Sequence, residues 1–216
     1  MPTEILAKNN VRRLASATIA LPSDVTPTGP KAGILNVALQ LFAEKGYAGA
    51  SIRDIASASK LKPASIYAHY ASKEQMLAQL LNIGHKEHSQ YVHRAVAEGG
   101  SEAKSQLCAY VSGHVRFHAE FPMLALLVNH ELHALSAEEA ASALKLREQA
   151  TDLLMGIIRQ GQDSGTFAND FDPWLAGAAI GAMGIRVAHW YSEEHDKSID
   201  EIVDNYQRFA CRIVGL

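Results

Sequence analysis

The sequence predicts an all-α protein: a small basic head of three helices, a long linking helix, and a larger acidic helical body. Three observations carry this reading. Apolar residues recur at helical spacing from Lys31 onward. Strand signals are nearly absent, with no sustained alternation and no Asn-Gly hairpin. Prolines and glycines stand as punctuation between helix-length segments, at Gly99-Gly100, Pro122, Gly165 and Pro173.

Residues 1–29 read as a flexible arm, because Pro22, Pro27, Gly29 and Pro30 cannot sustain a helix there. The first helix is expected over 31–45, with Ile34, Leu35, Ala38, Leu41 and Phe42 on one stripe and Gly46 ending it. A second opens at Ser51, where Ser51 and Asp54 have capping-box spacing and Ile52, Ile55 and Ala56 supply the buried side. After a break at 59–62, Pro63 suits the first turn of a third helix ending near Tyr70. Ser72 to Gln75 is a second capping box, opening a long helix toward Val96. Five more helices follow, over 103–119, 123–135, 137–163, 173–192 and 198–214. The domains expected are the arm (1–29), a helix-turn-helix head (30–76) and a ligand-binding and dimerisation body (77–216).

The overall charge of −3 hides an asymmetry. Residues 30–73 hold six lysines and arginines against two carboxylates, a net of +4, whereas residues 74–216 hold eleven against nineteen, a net of −8. Basic charge gathered into one short segment of an acidic chain is a footprint for a polyanion. No stretch reaches the roughly 20 apolar residues that cross a bilayer. The N-terminus has no signal-peptide pattern, and Cys108 and Cys211 do not suggest a disulfide framework. A cytoplasmic protein without a membrane partner is expected.

Two short helices behind a supporting one form the helix-turn-helix arrangement, whose second helix enters the DNA major groove. Here that helix is 63–70. Ile66 and Tyr70, four apart, face the head's core, which leaves Lys62, Pro63, Ala64, Ser65, Tyr67 and His69 for the outer side. Ala64 permits close approach to a thymine methyl, and Ser65 can donate to a base edge or phosphate. Lys31, Ser51, Arg53 and Lys73 complete the expected DNA contacts, with Ser51 and Lys73 placed near helix N-termini to position phosphates.

Three segments then carry a resemblance: Ile34-Leu35-x2-Ala38-x2-Leu41-Phe42-x3-Gly46-Tyr47, Ser51 to Ala56, and Ser65 to Tyr70 followed by x-Ser72-Lys73-Glu74. In register over residues 31–80, they resemble the N-terminal signature of the TetR/AcrR repressor family. The resemblance implies a homodimer on a palindromic double-stranded operator. It also implies a C-terminal pocket whose small-molecule effector separates the two heads. Lys60 stands where the family commonly has glycine; a lysine at positive φ costs about 1 kcal/mol relative to glycine, so a different turn geometry is expected.

In the body, Ile202, Tyr206, Phe209 and Ile213 form one stripe and Gly177, Gly181 and Ile185 another. Pattern alone makes these core; the resemblance makes them a four-helix dimer surface. Tyr110, His114, Phe117, Asn129, His130, His133, Trp174, Arg186 and Trp190 are the candidates for lining the effector pocket. Asn129 to Leu132 and Arg186-x3-Trp190-Tyr191 resemble the branch that senses acyl-CoA thioesters and lipid acids, whose anionic group an arginine suits. His114/His118, His85/His88 and His130/His133 each share a helix face, which leaves a metal-sensing regulator as an alternative. No cysteine or third ligand accompanies any pair, so no metal is expected. A helical enzyme is the other alternative; no glycine-rich phosphate loop, Gly-x-Ser-x-Gly elbow or carboxylate pair supports one, and no cofactor is expected.

Overall fold

The computed structural model describes residues 21–216. Among them are nine α-helices, one short 3-10 helix and no strand. We number the helices α1 (Pro30–Gly49), α2 (Ile52–Ala58), α3 (Pro63–Tyr67), α4 (Lys73–Glu98), α5 (Ala103–Glu120), α6 (Pro122–His130), α7 (Ala137–Asp163), α8 (Pro173–Trp190) and α9 (Ile199–Ile213). The chain forms two compact units. The first takes residues 21–87 and Phe121–Lys145, the second His88–Glu120 and Leu146–Leu216. The expected boundary at 76/77 is therefore not where the packing divides: the next eleven residues of α4, 77–87, stay in the first unit, and α6 belongs there too.

The first unit is built on one apolar core. α1 contributes Ile34, Leu35, Ala38, Leu39 and Phe42, and Leu41 is only half-buried. At Gly46 the backbone turns to φ 73°, ψ 158°, which breaks the helical run where glycine was expected to end it. α2, α3, α4 and α6 add Ile55, Ile66, Leu77, Leu81, Leu124 and Val128 to the same core. Gly84 makes the α4–α6 contact possible, since a Cβ there would lie 2.4 Å from Val128 Cγ1.

Two expectations need correction in this unit. Of the expected flexible arm, residues 1–20 lie outside the described residues. Residues 21–29 are a turn rather than a free linker: Pro22 is buried, Leu21 and Val25 pack on the core, and the Thr26 N–H donates to the Pro22 carbonyl at 3.2 Å. The single helix expected over 123–135 ends at His130, and a 3-10 turn, Leu132–Ala134, follows. Between them Glu131 leaves helical geometry, and its carboxylate accepts the Tyr47 N–H at 3.1 Å. A partner 84 positions away fixes this break.

The α2–α3 turn resolves the question at Lys60, the one non-glycine with positive φ among the described residues, at 55°. The Leu61 N–H donates to Ala56 O at 2.8 Å and the Lys60 N–H to Ser57 O at 3.0 Å, the pairing of a Schellman motif. The glycine-type turn is thus kept, not replaced, and lysine carries its strain. Lys60→Gly is expected to leave the fold unchanged and raise stability by up to about 1 kcal/mol, read as a higher denaturation midpoint.

The second unit packs the end of α4, α5, the rest of α7, α8 and α9 around Val92, Leu107, Val111, Val115, Ile158, Ile180, Val187 and Val203. Gly113 brings α5 against the α4 backbone, with its Cβ position 2.7 Å from Tyr91 O. Asp172 caps α8 through the Leu175 N–H at 3.0 Å, and Ser198 and Glu201 form the capping box of α9. Cys108 and Cys211 are free thiols with sulfurs 3.9 Å apart. Burial and the neighbouring Cys211 push the Cys108 thiol up to about 11, so it is not a reactive thiolate at neutral pH.

Candidate nucleic-acid interface

The helix-turn-helix is assembled by local signals that all agree. Ser51 Oγ accepts the Asp54 N–H at 3.1 Å while Asp54 Oδ2 accepts the Ser51 N–H at 2.9 Å, so α2 starts with both capping-box bonds made. Hydrogen bonds from the Ser51 side chain and backbone hold the Asp54 carboxyl below its usual range, with Lys45 adding to this. Pro63 opens α3, which is short: it ends at Tyr67 with Ala68 as its C-cap, and the His69 and Tyr70 N–H groups both donate to Ile66 O.

Ile66 and Tyr70 are buried in the head's core as expected. The Tyr70 hydroxyl donates to the Lys31 carbonyl at 3.3 Å, and burial pushes its pKa up to about 12. Anchoring α3 on these two side chains turns the rest of it outward. Lys62, Pro63 and Ala64 are exposed, Tyr67 is 55% exposed, and Ser65 and His69 are half-buried at the edges of that face. Lys31, Ser51 and Arg53 are exposed on the same unit, as are Lys45 and Lys60, which the sequence reading counted as charge but not as contacts.

Lys73 is the exception among the expected DNA contacts. It is half-buried, and its ammonium donates to the carbonyls of Tyr47 at 2.7 Å and Ala50 at 2.9 Å while lying 4.1 Å from the Tyr47 ring centroid. A cation so occupied satisfies the carbonyls left at the α1–α2 junction. Its task is to hold the head together, and the spacing of the sequence could not reveal that. Lys73→Met is expected to cost about 2 kcal/mol of stability. The slope of log affinity against log salt should stay the same for the folded fraction; a shallower slope would return Lys73 to the phosphate contacts.

Comparison with known proteins agrees with this geometry over most of the chain. Residues 34–80 match the model for bacterial regulatory proteins of the tetR family, and residues 100–214 match the model for a tetracyclin repressor-like C-terminal domain. The chain belongs to the tetR family. It is 26% identical to the transcriptional repressor KstR2 of Rhodococcus jostii over 188 residues, 86% of this chain and 92% of that one. It is 25% identical to the fatty acid metabolism regulator protein of Bacillus subtilis over 73% of this chain and 81% of that one. A crystal structure of a tetR-family regulatory protein from Rhodococcus RHA1 superposes with a TM-score of 0.76 at 30% identity, covering 85% of this chain and 96% of that one. The chain is accordingly a ligand-responsive, DNA-binding transcription regulator of all-α fold. The family and these relatives are regulators by name, not enzymes. No helix among the described residues is long and apolar enough to cross a membrane.

Of the nine expected pocket residues, six lie in the second unit and three in the first. Tyr110, His114 and Phe117 are buried together on α5, with the Tyr110 ring stacked on His114 at 5.9 Å and its hydroxyl pKa driven up by burial. Trp190 is half-buried, edge-on to His195 at 5.3 Å. Trp174 is 65% exposed and Arg186 is exposed, both on the outer side of α8. Asn129, His130 and His133 belong to the first unit, where Asn129 donates to Ala125 O at 2.7 Å and both histidines are exposed. None of the nine lines the open cleft of about 500 Å³ formed by Ser89, Gln90, His93, Gln149, Asp152 and Leu153.

The expected dimer stripes also need correction. Ile202 is buried within its own unit, and Gly177 packs against Met155, whose sulfur would lie 2.9 Å from a Cβ there. The exposed apolar residues of α8 and α9 include Trp174, Leu175, Ala178, Ala182 and Phe209, the last being the one exposed member of the α9 stripe. Helical periodicity placed the apolar stripes correctly; it could not say which of two apolar faces points inward.

Proposed function

We propose that this chain represses transcription as a homodimer that reads a palindromic operator through α3 and is released by an acyl-CoA or related lipid acid. The observation that carries the DNA part is the outward face of Lys62, Ala64, Ser65 and Tyr67 on a head of net charge +4. Ala64 and Ser65 meet base edges; Lys31, Arg53, Lys62 and Tyr67 meet phosphates. Two heads related by a two-fold axis read half-sites about 10 base pairs apart or a multiple of that. The exposed apolar side chains of α8, with Leu175 at 62% and Trp174 at 65% exposure, support self-association through the last two helices. The likeness to a fatty acid metabolism regulator favours a lipid-acid effector, and Tyr110 and Trp190 are the polar aromatic groups suited to meet it. The work of such a regulator lies in the cytoplasm.

The test is an anisotropy titration of the full chain on its own promoter region, repeated at several salt concentrations, with acyl-CoAs, fatty acids, steroids and aromatic acids added in turn. Binding that weakens with salt, shows a defined palindromic footprint and is abolished by an acyl-CoA or fatty acid is the expected result. Release by steroids or aromatic acids alone would reassign the effector; salt-independent binding would remove the DNA assignment.

A further inference from the structure

The second unit brings together three histidines that the sequence separates. His114 and His118 stand one turn apart on α5, and His88 reaches them from α4, 26 positions earlier. One ring nitrogen from each falls within 4.8 Å of the others. His88 is half-buried and the other two are buried. The ring centroids lie 4.5 to 5.7 Å apart, with the Phe117 ring 5.3 Å from His88 and 5.2 Å from His118.

We propose that His88, His114 and His118 form a binding site for one divalent transition-metal ion of the zinc type. The decisive feature is how backbone carbonyls hold the rings. His114 Nε2 is 3.0 Å from Gly181 O, and His118 Nδ1 is 2.7 Å from His114 O. A carbonyl only accepts, so each of these nitrogens carries the ring proton. The lone pairs are then on His114 Nδ1 and His118 Nε2. A metal-bound histidine has this arrangement: one nitrogen on the ion, the other donating to a fixed acceptor that sets the tautomer and ring angle. His88 Nε2 lies 2.8 Å from His114 Nδ1, so in the metal-free protein it donates its proton there. Ion binding replaces that hydrogen bond: the proton on His88 Nε2 leaves that nitrogen, to the other ring nitrogen or to water, and one nitrogen of each of the three rings faces the ion.

The place of the His114 ring depends on α8 having no side chain at Gly184, where a Cβ would lie 2.0 Å from His114 Cδ2. A tetrahedral ion with Zn–N bonds of about 2.0–2.1 Å needs its nitrogens about 3.4 Å apart. The 2.8 Å pair must therefore part slightly while the wider separations close. Three nitrogens and no sulfur or carboxylate suit zinc, cobalt or nickel over calcium or magnesium, and leave one coordination position for water or an anion.

Full-length protein stripped with a chelator and dialysed is titrated with zinc sulfate against a metal-indicator dye, and separately with cobalt(II) chloride. One equivalent per chain is expected to saturate, with a rise in melting temperature and the intense visible bands of tetrahedral cobalt. His88→Gln and His118→Gln should each weaken zinc binding on the order of 100-fold or more, since even supporting groups around a metal cost 10–100-fold. His130→Gln with His133→Gln should leave it unchanged. If the buried His118→Gln protein fails to fold, the cobalt spectrum of the parent and the half-buried His88→Gln variant decide. No one-to-one saturation, octahedral cobalt bands, or equal affinity in the His88 variant would overturn the site.

Discussion

Replacing Phe42 by alanine is expected to lower the unfolding free energy by about 3–5 kcal/mol and to abolish specific operator binding. The ring is 1% exposed in the core that carries Ile55, Ile66, Leu77 and Leu124, so its loss leaves a cavity lined by four helices of the head unit. It also packs edge-on against the Tyr47 ring at 5.4 Å. Tyr47 is where the unit is tied together: its N–H donates to Glu131, its carbonyl accepts from Lys73, and its ring faces the Lys73 ammonium. Thermal denaturation should show the midpoint falling by roughly 6–20 °C for a chain of this size. Phe42→Leu, which keeps most of the volume, should cost under about 1.5 kcal/mol and retain operator binding. A Phe42→Ala protein melting within about 2 °C of its parent would show that the ring does not organise the head.

What the sequence made legible follows from the range of the interactions. The capping box at Ser51, the buried pair Ile66 and Tyr70, and the bounds of α7 depend on residues within a turn or two, and local spacing finds them. The break after His130 was not legible, because Glu131 is drawn out of the helix by Tyr47 from another element. Lys73 reads as a free cation in sequence and is spent on two carbonyls in space. His114 and His118 show as an i, i+4 pair, but the third ring arrives from α4 through tertiary packing at Gly113, and only a contact across helices could have supplied it. The pocket suffered most. Aromatic and polar residues on several helices share no spacing signal, and the structure scatters them over two units. At Lys60 the resemblance implied a changed turn, because the family commonly has glycine there, whereas the backbone keeps the glycine-type conformation and accepts the strain.

Removing the charges of Arg53 and Lys62 together is the larger test of the interface itself. Both side chains are exposed, so Arg53→Gln with Lys62→Gln should melt within about 2 °C of the parent and leave the fold intact. In a dimer the pair takes four positive charges from the DNA face. Each phosphate neutralised contributes about 0.9 to the slope of log affinity against log salt, so the slope should become shallower by about 3.6. At 0.1 M salt that corresponds to a loss on the order of 10³-fold in affinity, which vanishes on extrapolation to 1 M. The preference between operator and unrelated DNA should persist, because phosphate contacts are blind to sequence. Changes at Ala64 or Ser65 should do the reverse: an unchanged slope, with the preferred base at one position of each half-site altered by about 1–3 kcal/mol. An unchanged salt slope in the double variant would move the phosphate contacts away from Arg53 and Lys62. Lys31, Lys45 and Lys60, the other exposed cations of the head, would then have to supply them.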